Sequence, residues 1–156
     1  MSNTASLNRI IIAEDNAADV GLVREALSEH EIEHELFVMK DGEQAIAYIE
    51  LLESDENVPC PDLLLLDLHL PRRDGEDVLK RLRSSTRCGQ TPVIVMTSSD
   101  SPHDHAAAEK HAALHYFRKP SDLGQFMQLG FIIKQIIARK PAETLKEVGP
   151  SLSATT

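Results

Sequence analysis

Several residues able to do chemistry stand at or just beyond the ends of short apolar runs. They are Glu14 and Asp15 after RIIIA, Asp67 after four leucines, Thr97 at the end of PVIVMT, and Lys119 shortly after LHYF. An acid directly beside four leucines is costly in a core unless it is paired. Clustered carboxylate oxygens favour Mg²⁺, and an ammonium and a hydroxyl suit phosphoryl oxygens. If these positions meet, the set predicts phosphoryl transfer to an aspartate.

Five apolar runs alternate with segments of helical periodicity. The runs are nearly continuous in apolar residues, as is typical of parallel strands covered on both faces, and they span 9–13, 35–39, 62–66, 92–97 and 114–117. The segment after each run contains a residue suited to capping a helix: Asn16, Asp41, Asp74, Ser101 and Ser121. The alternation predicts an α/β fold with a doubly wound, five-stranded parallel sheet and five helices. Ligands of such folds bind beyond the carboxyl ends of the strands, where the reactive residues fall.

Composition limits the class of protein. The chain has 156 residues, with 16 Lys and Arg against 25 Asp and Glu, and its formal net charge of −9 argues against nucleic-acid binding. We expect one domain over 8–139, flexible termini at 1–7 and 140–156, and no output domain. The absence of an apolar signal core or membrane-length apolar run predicts a cytoplasmic protein. Cys60 and Cys88 are interpreted as incidental thiols in a reducing compartment.

The sequence resembles the receiver domains of two-component response regulators over roughly 8–139. The resemblance rests on Glu14-Asp15, on Asp67 within LLLLDLHLPRRDG, on Thr97 and Lys119-Pro120, and on the spacing between them. It implies the flavodoxin-like receiver fold with strand order 2-1-3-4-5. The DLHLPRRDG segment and the extended loop before the third strand are most similar to stand-alone regulators paired with bacterial phytochromes.

The resemblance also implies a role for each residue. Asp67 accepts a phosphoryl group from a phosphohistidine of a sensor histidine kinase, while Lys119 and Thr97 hold phosphoryl oxygens. Thr97 and Tyr116 form the switch pair: the hydroxyl moves toward the phosphoryl group as the aromatic ring swings inward. The implied ligands of Mg²⁺ are Asp15, Asp67, Glu14 through water, and the backbone carbonyl of His69. Such a protein is a phosphoacceptor switch that catalyses only its own phosphorylation and dephosphorylation.

Further features follow from the resemblance. The bond between Lys119 and Pro120 is expected to be cis, and Gly75 is expected to allow a tight turn beside the phosphoacceptor. The implied partners are a sensor kinase, a bacteriophytochrome in the subgroup above, and a phosphotransfer or target protein. A second apolar stripe on the fifth helix favours a homodimer through the fourth helix, fifth strand and fifth helix. That stripe comprises Leu123, Met127, Gly130 and Ile137.

Two other functions are considered on a similar fold. A phosphatase of the haloacid dehalogenase type also uses an aspartyl nucleophile, but it needs a second Asp two residues later, where this chain has His69. A flavodoxin-type flavin module needs a phosphate-binding Ser/Thr/Gly loop after the first strand. The segment Glu14-Asp15-Asn16 would instead repel a phosphate.

Overall fold

The computed structural model describes residues 7–139, so the predicted flexible termini lie outside the described residues except at Leu7. Five parallel strands form one sheet in the order β2-β1-β3-β4-β5. The strands are Asn8–Ala13 (β1), His34–Met39 (β2), Leu63–Leu66 (β3), Val93–Thr97 (β4) and His115–Arg118 (β5). The helices are Ala17–Glu29 (α1), Gly42–Ser54 (α2), Gly75–Arg83 (α3), Pro102–Lys110 (α4) and Leu123–Ala138 (α5). The predicted fold class and strand order are confirmed.

Helices cover both faces of the sheet, as the continuous apolar runs predicted. The four leucines of β3 are all buried: Leu64 and Leu66 belong to the core beside α2 and α3, and Leu63 and Leu65 to the core beside α1 and α5. Burying both faces of a central strand requires a layer of helices on each side. Within the described residues, no helix is long and apolar enough to cross a bilayer.

Most predicted helix starts are confirmed at the residue level. The side chains of Asn16, Asp41, Asp74 and Ser101 each accept a backbone N–H from the first turn of the following helix. The prediction for α5 was one residue early. Asp122 is the cap there, because its carboxylate accepts the N–H of Gln125 at 2.8 Å.

Gly75 is required because α3 begins in close contact with the backbone of Asp67 and Leu68, and not because the chain makes a left-handed turn there. A Cβ at this first residue of α3 would lie 2.5 Å from the carbonyl oxygen of Asp67 and 2.5 Å from the Cα of Leu68. The N–H of Gly75 donates to the carbonyl of Leu68 at 2.9 Å. The glycine therefore allows α3 to pack directly on the backbone that follows β3.

The interpretation of the two cysteines as incidental thiols was wrong. Cys60 and Cys88, 28 residues apart, form a disulfide. Cys60 lies in the segment before β3 and Cys88 in the segment before β4. Because β3 and β4 are parallel neighbours, both segments reach the same edge of the sheet, opposite the strand ends that carry the acids. The pairing depends on this topology, which sequence separation alone did not reveal.

Polar contacts connect the end of α2 and the segment before β3 with the segment before β4. The guanidinium of Arg87 donates to the carbonyls of Leu52 and Val58, at 2.5 Å each. The carboxylate of Glu53 accepts hydrogen bonds from the hydroxyls of Ser85 and Thr86, which lower the pKa of Glu53 to about 2. These contacts give the segments a noncovalent connection beside the disulfide.

Reduction of the disulfide is expected to destabilise the protein without unfolding it. Closing a loop of this length stabilises by about 3.5 kcal/mol in the chain-entropy model, and the contacts of Arg87 and Glu53 persist after reduction. Urea unfolding with and without dithiothreitol measures the difference. The double variant Cys60→Ser/Cys88→Ser should match the reduced protein and be insensitive to reductant. Coincident unfolding curves for the oxidised and reduced wild type would contradict this assignment.

Candidate functional site

Three acidic side chains converge at the carboxyl edge of the sheet. Glu14 and Asp15 follow β1 and Asp67 follows β3, two strands paired with Ala13 opposite Leu66. One carboxylate oxygen from each residue lies within 4.8 Å of those of the other two. Glu14 and Asp67 are buried, at 1% and 6% exposure, whereas Asp15 is exposed. The sequence prediction that these three acids meet is confirmed by their positions.

Lys119, which follows β5, reaches into this acidic group. Its Nζ donates to Glu14 Oε1 at 2.8 Å, to Asp67 Oδ2 at 3.2 Å and to Asp19 Oδ2 at 2.8 Å. The lysine side chain is only 10% exposed. A cation is therefore held among carboxylates in a largely buried position.

Burial and charge act against each other on these groups. Burial raises the pKa of Glu14 above its usual value, although Lys119 and the N–H of Asn16 act to lower it. For Lys119, burial alone would lower the pKa, but the hydrogen bonds to Asp19 and Glu14 and the charge of Asp67 outweigh burial and raise it. Lys119 is thus a permanent cation at neutral pH.

Asp19 is a site residue that the sequence analysis missed. It lies in the first turn of α1, where its N–H donates to the capping side chain of Asn16 at 3.0 Å. The signal was present, since Asp19 follows Asp15 by four residues, about one helical turn. That spacing places Asp19 on the same side of the helix start as Asp15, but only the folded chain brings Lys119 to it.

The bond before Pro120 is trans, as are the other peptide bonds of the described residues, so the expected cis bond was wrong. Lys119 reaches Asp67 without it. The backbone N–H of Lys119 donates to the carbonyl of Thr97 at 2.8 Å, which holds the backbone beside β4. The long lysine side chain spans the remaining distance to the acids.

Thr97 of β4 and Tyr116 of β5 both contact the segment that joins β4 to α4. Thr97 is buried at 1% exposure, and its hydroxyl oxygen accepts the N–H of Ser99 at 3.2 Å. The hydroxyl of Tyr116 donates to the carbonyl of Ser99 at 2.9 Å, and its ring stacks on His105 of α4 at 3.8 Å. Both residues expected to form a switch therefore contact the same residue, Ser99.

The acidic group is chemically suited to a divalent cation. It combines oxygen donors only, which hard cations such as Mg²⁺ prefer over softer ligands. The backbone carbonyl of His69 was expected to be a further ligand. His69 lies two residues after Asp67, and its N–H donates to Asp67 Oδ1 at 2.9 Å. That bond fixes the backbone beside Asp67.

Comparisons with known proteins agree with this fold and identify the family. The family model of the response regulator receiver domain matches residues 10–129, and the chain belongs to this family. It is a signalling switch of the two-component type. Response regulator Rcp1 of Synechocystis sp. is 35% identical over 120 residues, covering 77% of this chain and 82% of Rcp1.

Solved structures give the same result. The Mn²⁺-bound form of Rcp1 matches with a TM-score of 0.72 at 34% identity, over 82% of this chain and 92% of that one. The phosphorylated cyanobacterial phytochrome response regulator RcpA matches with a TM-score of 0.76 at 32% identity, over 86% and 96%. The bacteriophytochrome response regulator AtBRR matches with a TM-score of 0.66 at 31% identity, over 86% and 94%. These relatives confirm the predicted similarity to phytochrome-associated regulators and support neither alternative function.

Asp19→Asn is expected to lower the free energy of unfolding of the metal-free protein by about 1 kcal/mol, because Lys119 loses a charge-assisted partner in a largely buried position. The matched control is Asp15→Asn, which removes the same charge from an exposed carboxylate of the acidic group. That change should leave stability unchanged or raise it, since it relieves repulsion among acids. Urea unfolding in EDTA measures both. Equal destabilisation by the two variants would contradict a specific role for Asp19.

Proposed function

We propose that this chain is a response regulator in which Asp67 accepts the phosphoryl group from a sensor histidine kinase. The observation that carries the proposal is the position of Asp67. Its carboxylate is buried at a strand end, beside the acids Glu14 and Asp15 and 3.2 Å from the ammonium of Lys119. A nucleophilic carboxylate next to a fixed cation and a cation-binding acid group is suited to phosphoryl transfer.

The reaction is a displacement at phosphorus. An oxygen of Asp67 forms the new P–O bond while the P–N bond of the donor phosphohistidine breaks, and the bonding electron pair leaves with the imidazole nitrogen. Lys119 neutralises charge on the transferred group, and the hydroxyl of Thr97 donates to one of its oxygens. Hydrolysis by water later returns the free carboxylate and inorganic phosphate.

Mg²⁺ is the cation we propose for the acidic group. Asp15, Asp67 and the carbonyl of His69 would hold it, with Glu14 acting through water. When bound, Mg²⁺ supplies positive charge to both the carboxylate and the phosphoryl oxygens. Asp15 would offer an exposed carboxylate to the ion, and Glu14 a buried one as acceptor for a metal-bound water.

The output is a change of protein contacts through Thr97 and Tyr116. When the Thr97 hydroxyl turns to a phosphoryl oxygen, the bond that it accepts from the N–H of Ser99 changes geometry. Tyr116, bonded to the carbonyl of the same Ser99, then repacks against α4. A local charge change would thereby alter the surface formed by α4 and β5.

The partners follow from the comparisons. Because RcpA and AtBRR are described as phytochrome and bacteriophytochrome regulators, we propose a phytochrome-type histidine kinase as the phosphoryl donor. A phosphotransfer protein or another target would receive the signal. We propose a cytoplasmic location, where the disulfide is open to reduction by cellular thiols.

A homodimer through α4, β5 and α5 is proposed as the assembled form. Leu114, the residue before β5, is 50% exposed. It lies between two surface grooves, one bounded by α4 and β5 and the other by β5 and α5. In the stripe expected to favour this dimer, Gly130 is buried against α1, while Leu123 is 55% exposed. The support therefore lies mainly in Leu114 and the two grooves.

Incubation with acetyl phosphate and Mg²⁺ should add the mass of one phosphoryl group to the wild-type chain. Asp67→Asn should abolish labelling, and EDTA should suppress it, because the nucleophile or the neutralising cation is lost. Asp74→Asn is the matched control: asparagine caps α3 as well as aspartate does, so labelling should persist. Intact-protein mass spectrometry provides the measurement. Undiminished labelling of Asp67→Asn would refute the proposal.

Leu114→Asp is expected to dissociate the dimer, since a charge on that surface must be desolvated on association. The control is Leu51→Asp on α2, a leucine that is 46% exposed and distant from the proposed interface. It should leave association unchanged. Sedimentation measures both variants with and without beryllofluoride, a phosphoryl mimic. A wild type that remains monomeric at high concentration in both conditions would contradict the dimer.

A further inference from the structure

Asp104 is a buried acid that the proposed phosphoryl transfer does not use. It lies in the first turn of α4 and is 4% exposed. An acid in the first turn favours a helix through the macrodipole, but that effect is fully available to an exposed side chain. Burial of a carboxylate instead requires specific partners.

The partners of Asp104 come from two different loops. Its Oδ2 lies 2.6 Å from Nε2 of His69, two residues after Asp67. The N–H of Asp104 donates to the hydroxyl of Ser101 at 3.1 Å, and the N–H of Ser101 donates to the hydroxyl of Ser99 at 3.2 Å. The carboxylate of Asp104 also interacts with the side chain of Ser99, two residues after Thr97. The carboxylate thus connects the loop after β3 with the loop after β4. These loops follow the two strands that carry the phosphoacceptor and the hydroxyl.

Each loop is in turn bonded to a residue that the switch requires. The N–H of His69 donates to the carboxylate of Asp67 at 2.9 Å. Ser99 donates its N–H to the hydroxyl of Thr97 at 3.2 Å, and its carbonyl accepts the hydroxyl of Tyr116 at 2.9 Å. Contacts through His69, Asp104 and Ser99 therefore join Asp67 to both Thr97 and Tyr116.

We propose that Asp104 is a positioning residue that holds the loop after β4 in its unphosphorylated arrangement by binding it to His69. This inference rests on the proposed function. When the Thr97 hydroxyl turns to a phosphoryl oxygen on Asp67, the segment at Ser99 that donates to it moves as well, and Asp104 restrains that segment by its bond to His69. The His69–Asp104 pair therefore adds to the cost of switching and keeps the population of the activated state low.

Hydrogen bonds that involve a charged group are stronger than neutral ones. Removing the bond between His69 and Asp104 should therefore shift the equilibrium between the unphosphorylated and activated arrangements measurably. The 2.6 Å separation of Asp104 Oδ2 from His69 Nε2 is as short as that of charge-assisted hydrogen bonds. A ligand that binds the activated arrangement gains affinity when the competing arrangement loses stability. Beryllofluoride with Mg²⁺ is such a ligand for a receiver aspartate.

The test compares beryllofluoride affinity among variants, measured by fluorine NMR in saturating Mg²⁺. Asp104→Ala should bind about tenfold more tightly than wild type, the effect of losing one charged hydrogen bond from the unphosphorylated state. His69→Ala removes the other member of the pair, whose side chain is 62% exposed, and should also tighten beryllofluoride binding. The double variant should bind no more tightly than Asp104→Ala, because both changes remove one interaction. Glu109→Ala, which removes an exposed acid from the same helix, should match wild type.

The outcomes separate this inference from the proposed function. If wild type fails to bind beryllofluoride, the phosphoacceptor role itself fails. If wild type binds but both Asp104→Ala and His69→Ala have unchanged or weaker affinity, Asp104 only stabilises the fold and the inference is overturned. Additive effects in the double variant would also overturn it. If Asp104→Ala does not fold, His69→Ala decides the result alone.

Discussion

The ammonium of Lys119 among the carboxylates of Glu14, Asp19 and Asp67 is the interaction on which the site depends. Buried acids cannot remain close together and ionised without a compensating charge, because desolvation and mutual repulsion both oppose it. The lysine supplies that charge from β5, while the acids come from β1, α1 and β3. One cation therefore connects four elements at a single edge of the sheet, and a divalent metal ion would strengthen the same neutralisation.

The two edges of the sheet are stabilised in different ways. At the carboxyl edge, loops carry ionised side chains whose partners can change when a ligand or a phosphoryl group arrives. At the opposite edge, the disulfide, Arg87 and Glu53 connect the segments before β3 and β4. The connections at that edge hold the strands together without involving the side chains of the acidic group.

Of the five helices, α4 has the fewest buried apolar side chains. Its buried apolar residues are Ala107 and Ala108, and much of its contact with neighbouring elements is polar. His69 bonds Asp104 near its start, and Glu76 bonds His111 at its end. Polar contacts of this kind exchange partners at lower cost than a large apolar core can repack, which suits a surface that reports the state of a nearby aspartate.

Local sequence determined much of this protein. The continuous apolar runs required a sheet covered on both faces, the capping residues set the helix starts, and the acids after β1 and β3 had to meet because parallel strands end at one edge. Side-chain partners formed across that topology were not predictable in the same way. Asp19 turning to Lys119, Asp104 joining two loops and Cys60 bonding Cys88 all depend on distances between segments far apart in the chain. Periodicity and capping are properties of neighbouring residues, whereas these contacts exist only after the strands have paired and the helices have packed.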